Sequence, residues 1–337
     1  MQESQFFKKL PANKVKCLLC NHFCDIAPEK IGICRSRKNE NGILKSMVYG
    51  HPFDANIDPI EKKPLFHFLP GTNTYSIGTL GCNFTCVNCQ NWNISQAKKI
   101  EEQNNDLPFL SPEKIVEDCL NSDCTSIAYT YNEPTMFADY ALDIMKLAHA
   151  NKLKNVWVSN GYMSDICLDA ILPYLDAINV DLKSFDEKFY RESCSAKLQP
   201  ILDNLKRLKE QTHLEITTLI IPSLTYNEDM LIDLANFIVD ELGADTPWHI
   251  TKFSSSISWK LQDSHSTSTE MIYNTYEIGK TAGLKYVYVG NLPGDDKENT
   301  YCPKCGELAI QRIDYEVERF DDNGECAHCG KNLDIID

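Results

Sequence analysis

Eleven of the fifteen cysteines in this 337-residue chain fall in three short groups, and that grouping limits the possible folds more than any other feature. Cys17, Cys20, Cys24 and Cys34 form the first group. Cys82, Cys86 and Cys89 form the second, and Cys302, Cys305, Cys326 and Cys329 the third. The opening stretch, MQESQFFKKL, lacks the apolar run of a secretory signal. A disulfide framework is therefore not expected, and grouped cysteines read as metal ligands or catalytic thiols in a reducing cytoplasm. The remaining four, Cys119, Cys124, Cys167 and Cys194, are scattered; Cys119 falls on an apolar helix face and reads as core.

Composition narrows the function classes. Hydrophobic residues make up 43% and aromatics 10%, enough to fill a core. No apolar run approaches the ~20 residues of a membrane span, so no membrane partner is expected. The formal charge of −15 argues against nucleic acid, whose phosphates would be repelled.

Residues 1 to about 70 read as an irregular, Cys-rich, metal-binding segment. From Tyr75 short apolar runs recur at strand length: 75–80, 125–130, 155–160, 176–182, 213–221, 248–253 and 285–290. Helical patterns lie between them. Ser111-Pro112 reads as an N-cap with proline at the first helical position. Apolar residues at helical spacing run from Phe137 to Ala148 and from Met230 to Ile238, and a last helix is expected over about 268–283. Strand–helix alternation of this kind implies a parallel α/β sheet with right-handed crossovers, an open or partial β/α barrel. Chemistry in that architecture belongs at the C-terminal ends of the strands. The expected units are 1–70, a barrel over 71–295, and a small zinc-ribbon-like module of four cysteines over 296–337.

The segment GCNFTCVNCQN directly follows the first barrel strand and spaces its thiols Cys82-x3-Cys86-x2-Cys89. A closed zinc site wants four ligands, and a 4Fe–4S cluster usually takes four thiolates. Three on one loop can hold three irons and leave the fourth open. This loop resembles that of the radical S-adenosylmethionine (SAM) enzymes. Their 4Fe–4S cluster binds SAM through its open iron and reductively cleaves it to a 5′-deoxyadenosyl radical that abstracts hydrogen from a substrate. The resemblance implies a partial (β/α)6-type radical SAM barrel. An aromatic usually precedes the third cysteine in the superfamily; Asn88 stands there, so the adenine contact is weaker or comes from elsewhere, such as Trp92.

The resemblance also implies roles on successive strands. YNEPT, with Asn132 and Glu133, matches the segment near the SAM amino group, and Glu133 is expected to accept from that ammonium; an acid at a helix N-terminus is the plainer reading. Asn160 and Gly161 end the next strand, as SAM contacts or as an ordinary Asn-Gly turn. Asp181 and Lys183 resemble the DLK segment of glycyl-radical activating enzymes, near SAM and substrate. Glu215 and His249 are expected to line the cavity, with a satisfied core histidine as the alternative for His249. Cys194 reads as a reactive thiol or as a small buried hydrophobe.

From DPIEKKPLFHFLPG through VDLKSFDEKFYRESC, TLIIPSLTYNED and NTYCPKCG, the chain is similar to the AmmeMemoRadiSam-system radical SAM enzymes, themselves similar to pyruvate formate-lyase activating enzyme. It departs at Ser254–Trp259, where that family carries an aromatic-Pro-x-Tyr segment. The resemblance implies an oxidoreductase or activase-like enzyme, a Memo-like or AMMECR-type protein partner, and reduced flavodoxin or ferredoxin as electron donor. On an acidic surface that donor needs a local basic patch, expected at Lys62 and Lys63 or at Lys98 and Lys99.

The outer groups differ in spacing. CPKCG and CAHCG, 20 residues apart, read as two knuckles on one zinc, with a rubredoxin-like iron as the rival. Cys17-x2-Cys20-x3-Cys24-x9-Cys34 admits either zinc, slightly favoured, or an auxiliary iron–sulfur cluster, with His22 able to replace one ligand. A non-catalytic iron–sulfur and zinc electron-transfer or assembly protein is the competing function class; it leaves the three-thiol loop unexplained.

Overall fold

The computed structural model describes residues 1–104 and 106–337. Its centre is an eight-stranded sheet. The strands are β1 (Asp54–Pro59), β2 (Asn73–Gly78), β3 (Ser126–Tyr129), β4 (Lys154–Ser159), β5 (Ala177–Asp181), β6 (His213–Ile220), β7 (Trp248–Lys252) and β8 (Val287–Gly290). They lie side by side in sequence order. From β2 onward every pair is parallel, and β1 runs antiparallel against β2. A strictly sequential parallel order has no reversal, so every crossover lies on the same side and the C-terminal strand ends gather along one rim.

Helices follow the strands: α1 (Pro112–Leu120), α2 (Ala138–Ala150), α3 (Asp165–Ile171), α4 (Gln199–Gln211), α5 (Glu228–Phe237) and α6 (Thr269–Ala282); the periodicity predicts α1, α2, α5 and α6, while α3 and α4 are additions of the structure. Ser111, Ser164, Asn227 and Ser268 cap α1, α3, α5 and α6 by accepting from backbone N–H groups. Helix α4 places Ile201, Leu202, Leu205 and Leu208 on one buried face. Cys119 is fully buried on α1, as its helical position predicts. Among the described residues, no helix is long and apolar enough to cross a membrane.

Residues 1–70 are more ordered than their composition suggests. Gln2–Glu3, Arg37–Glu40 and Ile43–Ser46 form one small antiparallel sheet, and Phe7–Lys9, Val15–Cys17 and Asp25–Ile26 another. Strands of two to four residues give no alternation to read, and RKNE is a poor strand sequence by propensity. The main sheet also begins earlier than residue 71, because β1 (DANIDP) pairs along the whole of β2. At the other end, Thr300–Tyr301, Leu308–Ile313 and Glu316–Arg319 form a third small sheet. Backbone bonds Leu69 N to Ile336 O (2.7 Å) and Ile336 N to His67 O (2.8 Å) stitch the chain's last residues to the segment before β2.

The N-terminal strands are clamped to α2 by a buried ion pair. Arg37 and Asp139 meet at 2.6 Å with side chains 0% and 6% exposed. Asp139 also accepts from Ser4 Oγ at 3.0 Å and from Gln5 N at 3.0 Å. Removing one partner of such a pair strands the other charge, so Asp139→Ala is expected to destabilise by about 3–5 kcal/mol, read as a lower urea midpoint. Lys99→Ala, which breaks the exposed Lys99–Glu102 pair, should leave that midpoint unchanged.

Candidate functional site

The loop leaving β2 carries Cys82, Cys86 and Cys89 and ends in a short helical turn, Trp92–Ser95. Other segments tether it at almost every residue. Asn132 Nδ2 donates to Thr79 O (2.7 Å) and Gly81 O (2.5 Å), and Asn160 Nδ2 to Asn83 Oδ1 (2.8 Å). Gln96 Nε2 donates to Phe84 O (2.9 Å). The N–H groups of Thr85 and Val87 donate to Cys194 O (3.1 Å) and Ser193 O (3.0 Å). Phe84 is buried between the rings of Tyr162 and Tyr190. Phe84 N–H lies 3.4 Å from Cys82 Sγ, and the Ser95 hydroxyl 3.3 Å from Cys89 Sγ. Both can stabilise a thiolate or a cluster sulfur.

Several expected partners converge here. Glu133 is 1% exposed. Its Oε1 accepts from Thr135 N (3.1 Å), Thr135 Oγ1 (2.5 Å) and Ser159 Oγ (2.9 Å), and its Oε2 from Asn160 N (2.8 Å). Burial nonetheless lifts its carboxyl above the usual range. Oε2, with a single donor, has room for a cationic ligand group. Burial, with Glu133 and Cys86 nearby, pushes the Cys82 thiol well up, and burial raises Cys89. A bound metal cluster would hold both as thiolates. Asp181 and Lys183 pair at 2.8 Å. Burial opposes the Lys183 ammonium, but Asp181 and Cys86 outweigh it and keep Lys183 charged. Gly161 takes φ +71°, and a Cβ there would lie 2.9 Å from Val180 Cγ1, so glycine is needed for the strand-end turn.

Polar atoms without partners ring the loop: Asn83 Nδ2, Asn88 Oδ1 and Asn132 Oδ1 are all buried. Unsatisfied buried groups are costly, and their convergence on one loop suits a ligand that would complete them. Three thiols, a buried carboxylate and these amides fit a 4Fe–4S cluster with SAM. Beside the loop lies a cavity of about 430 Å³, lined by Asn88, Gln90, Lys252, Ser254 and Asn291 among others. Gln90 and Lys252 carry no sequence signal. Ser254–Trp259, where the sequence departs from the resembled family, reaches this cavity and abuts the loop, with Lys260 N donating to Val87 O at 2.9 Å.

Two expectations fail, those for Glu215 and Lys63, and two residues take their plainer reading, His249 and Cys194. Glu215 and His249 are not with the cysteines, and His249, buried and bonded, lines a second cavity of about 250 Å³ with Thr251 and Asn291. The Glu215 carboxylate is fully engaged by Phe66 N (3.0 Å), His67 N (2.8 Å), His213 Nε2 (3.0 Å) and His249 Nε2 (2.6 Å), leaving nothing for a cofactor. Cys194 does not face a substrate cavity. It is fully buried at the end of a wide turn, Tyr190–Cys194, where the nearby Cys86 and burial push its thiol well up. Lys63 cannot serve a docking patch, because it is 2% exposed and bonded to Asp58 at 2.6 Å. Lys62 shares that carboxylate at 2.7 Å.

The C-terminal cysteines form a compact group, with ligand atoms all within 4.8 Å of one another. Cys302 and Cys329 sulfurs lie 3.6 Å apart, and Cys305 and Cys326 sulfurs 3.7 Å. Four thiolates at ~2.3 Å from one tetrahedral ion sit about 3.8 Å apart, so the group fits a single metal ion. Each knuckle closes identically, with Gly306 N bonded to Cys302 O and Gly330 N to Cys326 O.

Residues 76–238 match the radical SAM superfamily. The chain carries a radical SAM superfamily domain, which implies a 4Fe–4S cluster and SAM. It is 40% identical over 342 residues to the uncharacterized protein MJ0808 of Methanocaldococcus jannaschii, covering all of both chains. Among solved structures it is similar to Streptococcus suis SuiB bound to precursor peptide SuiA, at 13% identity and a TM-score of 0.50. That match covers 69% of this chain and 51% of SuiB. A domain of pyruvate-formate lyase-activating enzyme from Bacteroides vulgatus matches at 17% identity and a TM-score of 0.43, over 49% of this chain and 99% of that one.

The buried Glu215 network makes a pH prediction. Burial holds His67 neutral, down to about 3, and its neighbours hold Glu215 ionised despite burial. On unfolding His67 regains its usual value near 6.5, so below that pH the unfolded chain binds more protons and stability falls. From pH 6.5 to 4.5 the urea midpoint should drop by the equivalent of about 2–3 kcal/mol, and His67→Gln should flatten the slope.

Proposed function

We infer that this protein is a radical SAM enzyme of the AmmeMemoRadiSam type, resembling pyruvate formate-lyase activating enzyme, which cleaves SAM reductively and abstracts hydrogen from a protein substrate. One observation carries the reading. A three-thiol loop sits at the C-terminal end of the first parallel strand, beside a buried carboxylate and a row of unpartnered amides.

Cys82, Cys86 and Cys89 would hold the cluster. Glu133, Asn132 and Asn160 would hold SAM, and Asn88 would line its adenine side. When bound, the cluster and SAM together supply an electron and a carbon-centred radical. The chain's own work is positioning. Glu133 Oε2, which takes one donor from Asn160 N, would accept from the SAM ammonium. Asn132 and Asn160 fix the loop from the ends of β3 and β4. Lys183, held charged by Asp181, stands beside Cys86 and offsets the negative charge of the thiolates. Phe84, Tyr162 and Tyr190 exclude water from the back of the loop.

The sheet is read as a partial (β/α)6-type barrel flanked by the two four-cysteine units, and the C-terminal metal as zinc. A flavodoxin or ferredoxin is the proposed donor, with a Memo-like or AMMECR-type protein as partner. Because Lys63 is buried, Lys98 is the better remaining candidate for the donor's contact.

Anaerobic protein reduced with dithionite and given SAM should release 5′-deoxyadenosine, and Cys86→Ala should abolish release. Members that need substrate for turnover still perturb the cluster's EPR signal when SAM binds. Neither product nor perturbation from an iron-loaded protein would overturn the reading in favour of an electron carrier. Glu133→Gln should weaken SAM binding about 10- to 100-fold in equilibrium dialysis, the worth of one charge-assisted bond.

A further inference from the structure

We propose that Cys17, Cys20, Cys24 and Cys34 hold a second four-iron, four-sulfide cluster rather than a zinc ion. The molecule contains its own standard for a single-ion site, the C-terminal group, whose four sulfurs all lie within 4.8 Å. Among the described residues, no other three potential ligands are so compact. The N-terminal cysteines are thus more widely spread than that group, as are Cys82, Cys86 and Cys89, the cluster loop of the superfamily domain. A cubane puts each thiolate on a different iron and spreads the ligands; a single ion draws them together.

All four cysteines line one cavity. The other walls include Leu19, Phe23, Ile26 and Met136, with His22, Arg37 and Asn83. The Ser36 hydroxyl donates to Cys34 Sγ at 3.3 Å. Arg37 is 0% exposed, lines the cavity, and keeps a buried Nε with no partner. A cubane offers bridging sulfides as acceptors for that donor; a closed four-thiolate ion offers only its already coordinated thiolates. His22, the rival ligand, is engaged elsewhere, with Nε2 at 2.9 Å from Asn83 O.

Position gives the cluster a use. Asn83 adjoins Cys82, so His22 links the two sites through one residue. Gly81 packs so closely that a Cβ there would lie 2.6 Å from Cys34 O. A cluster so placed takes one electron from a reduced low-potential carrier and passes one electron to the central cluster, with no bond made or broken.

The test is metal and sulfide content of anaerobically purified protein in which Cys82, Cys86 and Cys89 are all changed to Ala. The expected remainder is about four irons and four acid-labile sulfides per chain, which Cys17→Ser with Cys34→Ser then removes. The sulfide assay separates this from a rubredoxin-like iron at the C-terminus, which carries none. A variant without labile sulfide, whether it holds a second zinc or nothing at the N-terminus, overturns the proposal. Should the triple variant not fold, Cys34→Ser alone should lower iron from about eight to about four per chain. The SAM-induced EPR change would survive that substitution; unchanged iron would overturn the proposal. Labile sulfide persisting in the triple variant would stand even if SAM left the wild-type signal untouched, so this inference and the enzymatic reading fail separately.

Discussion

A loop that must hold three thiols apart around a cluster cannot rely on apolar packing, because its own backbone polar groups face inward and need partners. Here many of those partners come from outside the loop. The amides of Asn132 and Asn160 come from the ends of β3 and β4, and the carbonyls of Ser193 and Cys194 from beyond β5. Gln96 reaches back from just past the loop. Sequential parallel strands make this possible, since their C-terminal ends deliver successive loops to one rim. The cost is a set of buried amide atoms left unpaired until a ligand arrives, which ties the architecture of the rim to the chemistry it supports.

The parts of this arrangement that sequence made legible are those written locally. Each parallel strand was visible as a short β-branched or aromatic run, and four of the helices as apolar stripes, while Gln199–Gln211 was not foreseen. The three cysteine groups declared themselves by spacing. Glu133, Asn160, Asp181 and Lys183 were placed near the loop through the resemblance of their strand-end segments, and the fold brings them there. What stayed hidden depends on partners far away in the chain. Glu215 reads as a polar residue on a barrel strand; nothing near it tells that residues 66 and 67 arrive to bind it, about 150 positions earlier. Lys63 looks like exposed charge until Asp58 and the overlying chain bury it. Cys194 was ambiguous because a thiol beneath a loop and a thiol facing substrate have the same sequence.

The placement of Glu215 and His249 shows how the two ends of the sheet divide their work. Both lie in the N-terminal halves of β6 and β7, away from the cysteine loop. There the carboxylate joins His213, His249 and the chain at Phe66–His67. His67 continues to Tyr288 Oη at 2.6 Å and to Leu333 O at 3.1 Å. Arg312, on the C-terminal sheet, closes the network by donating to Phe66 O and to Thr300 Oγ1. The C-terminal four-cysteine module is therefore bonded to the structural end of the barrel, while Asp314 and Tyr315 reach a cavity beside Thr251, Gly290 and Asn291 at the strand ends. Loss of a metal held by the four cysteines would act on stability through this network.

The N-terminal cysteines sit on the other side of that division. Their segment is fastened to α2 by Arg37 and Asp139 and to the loop by His22, so it abuts the rim where chemistry occurs. Arg37 serves both attachments: its guanidinium meets Asp139, its side chain lines the cysteine-lined cavity, and its buried Nε has no partner. A buried cation is tolerable only beside negative charge. Asp139 supplies one such charge, and four thiolates around a metal cluster supply more. The same residue thus couples occupancy of the N-terminal site to the seating of residues 1–46 on the barrel. An empty site would leave the guanidinium donor unsatisfied and loosen the segment that carries His22 to the cluster loop.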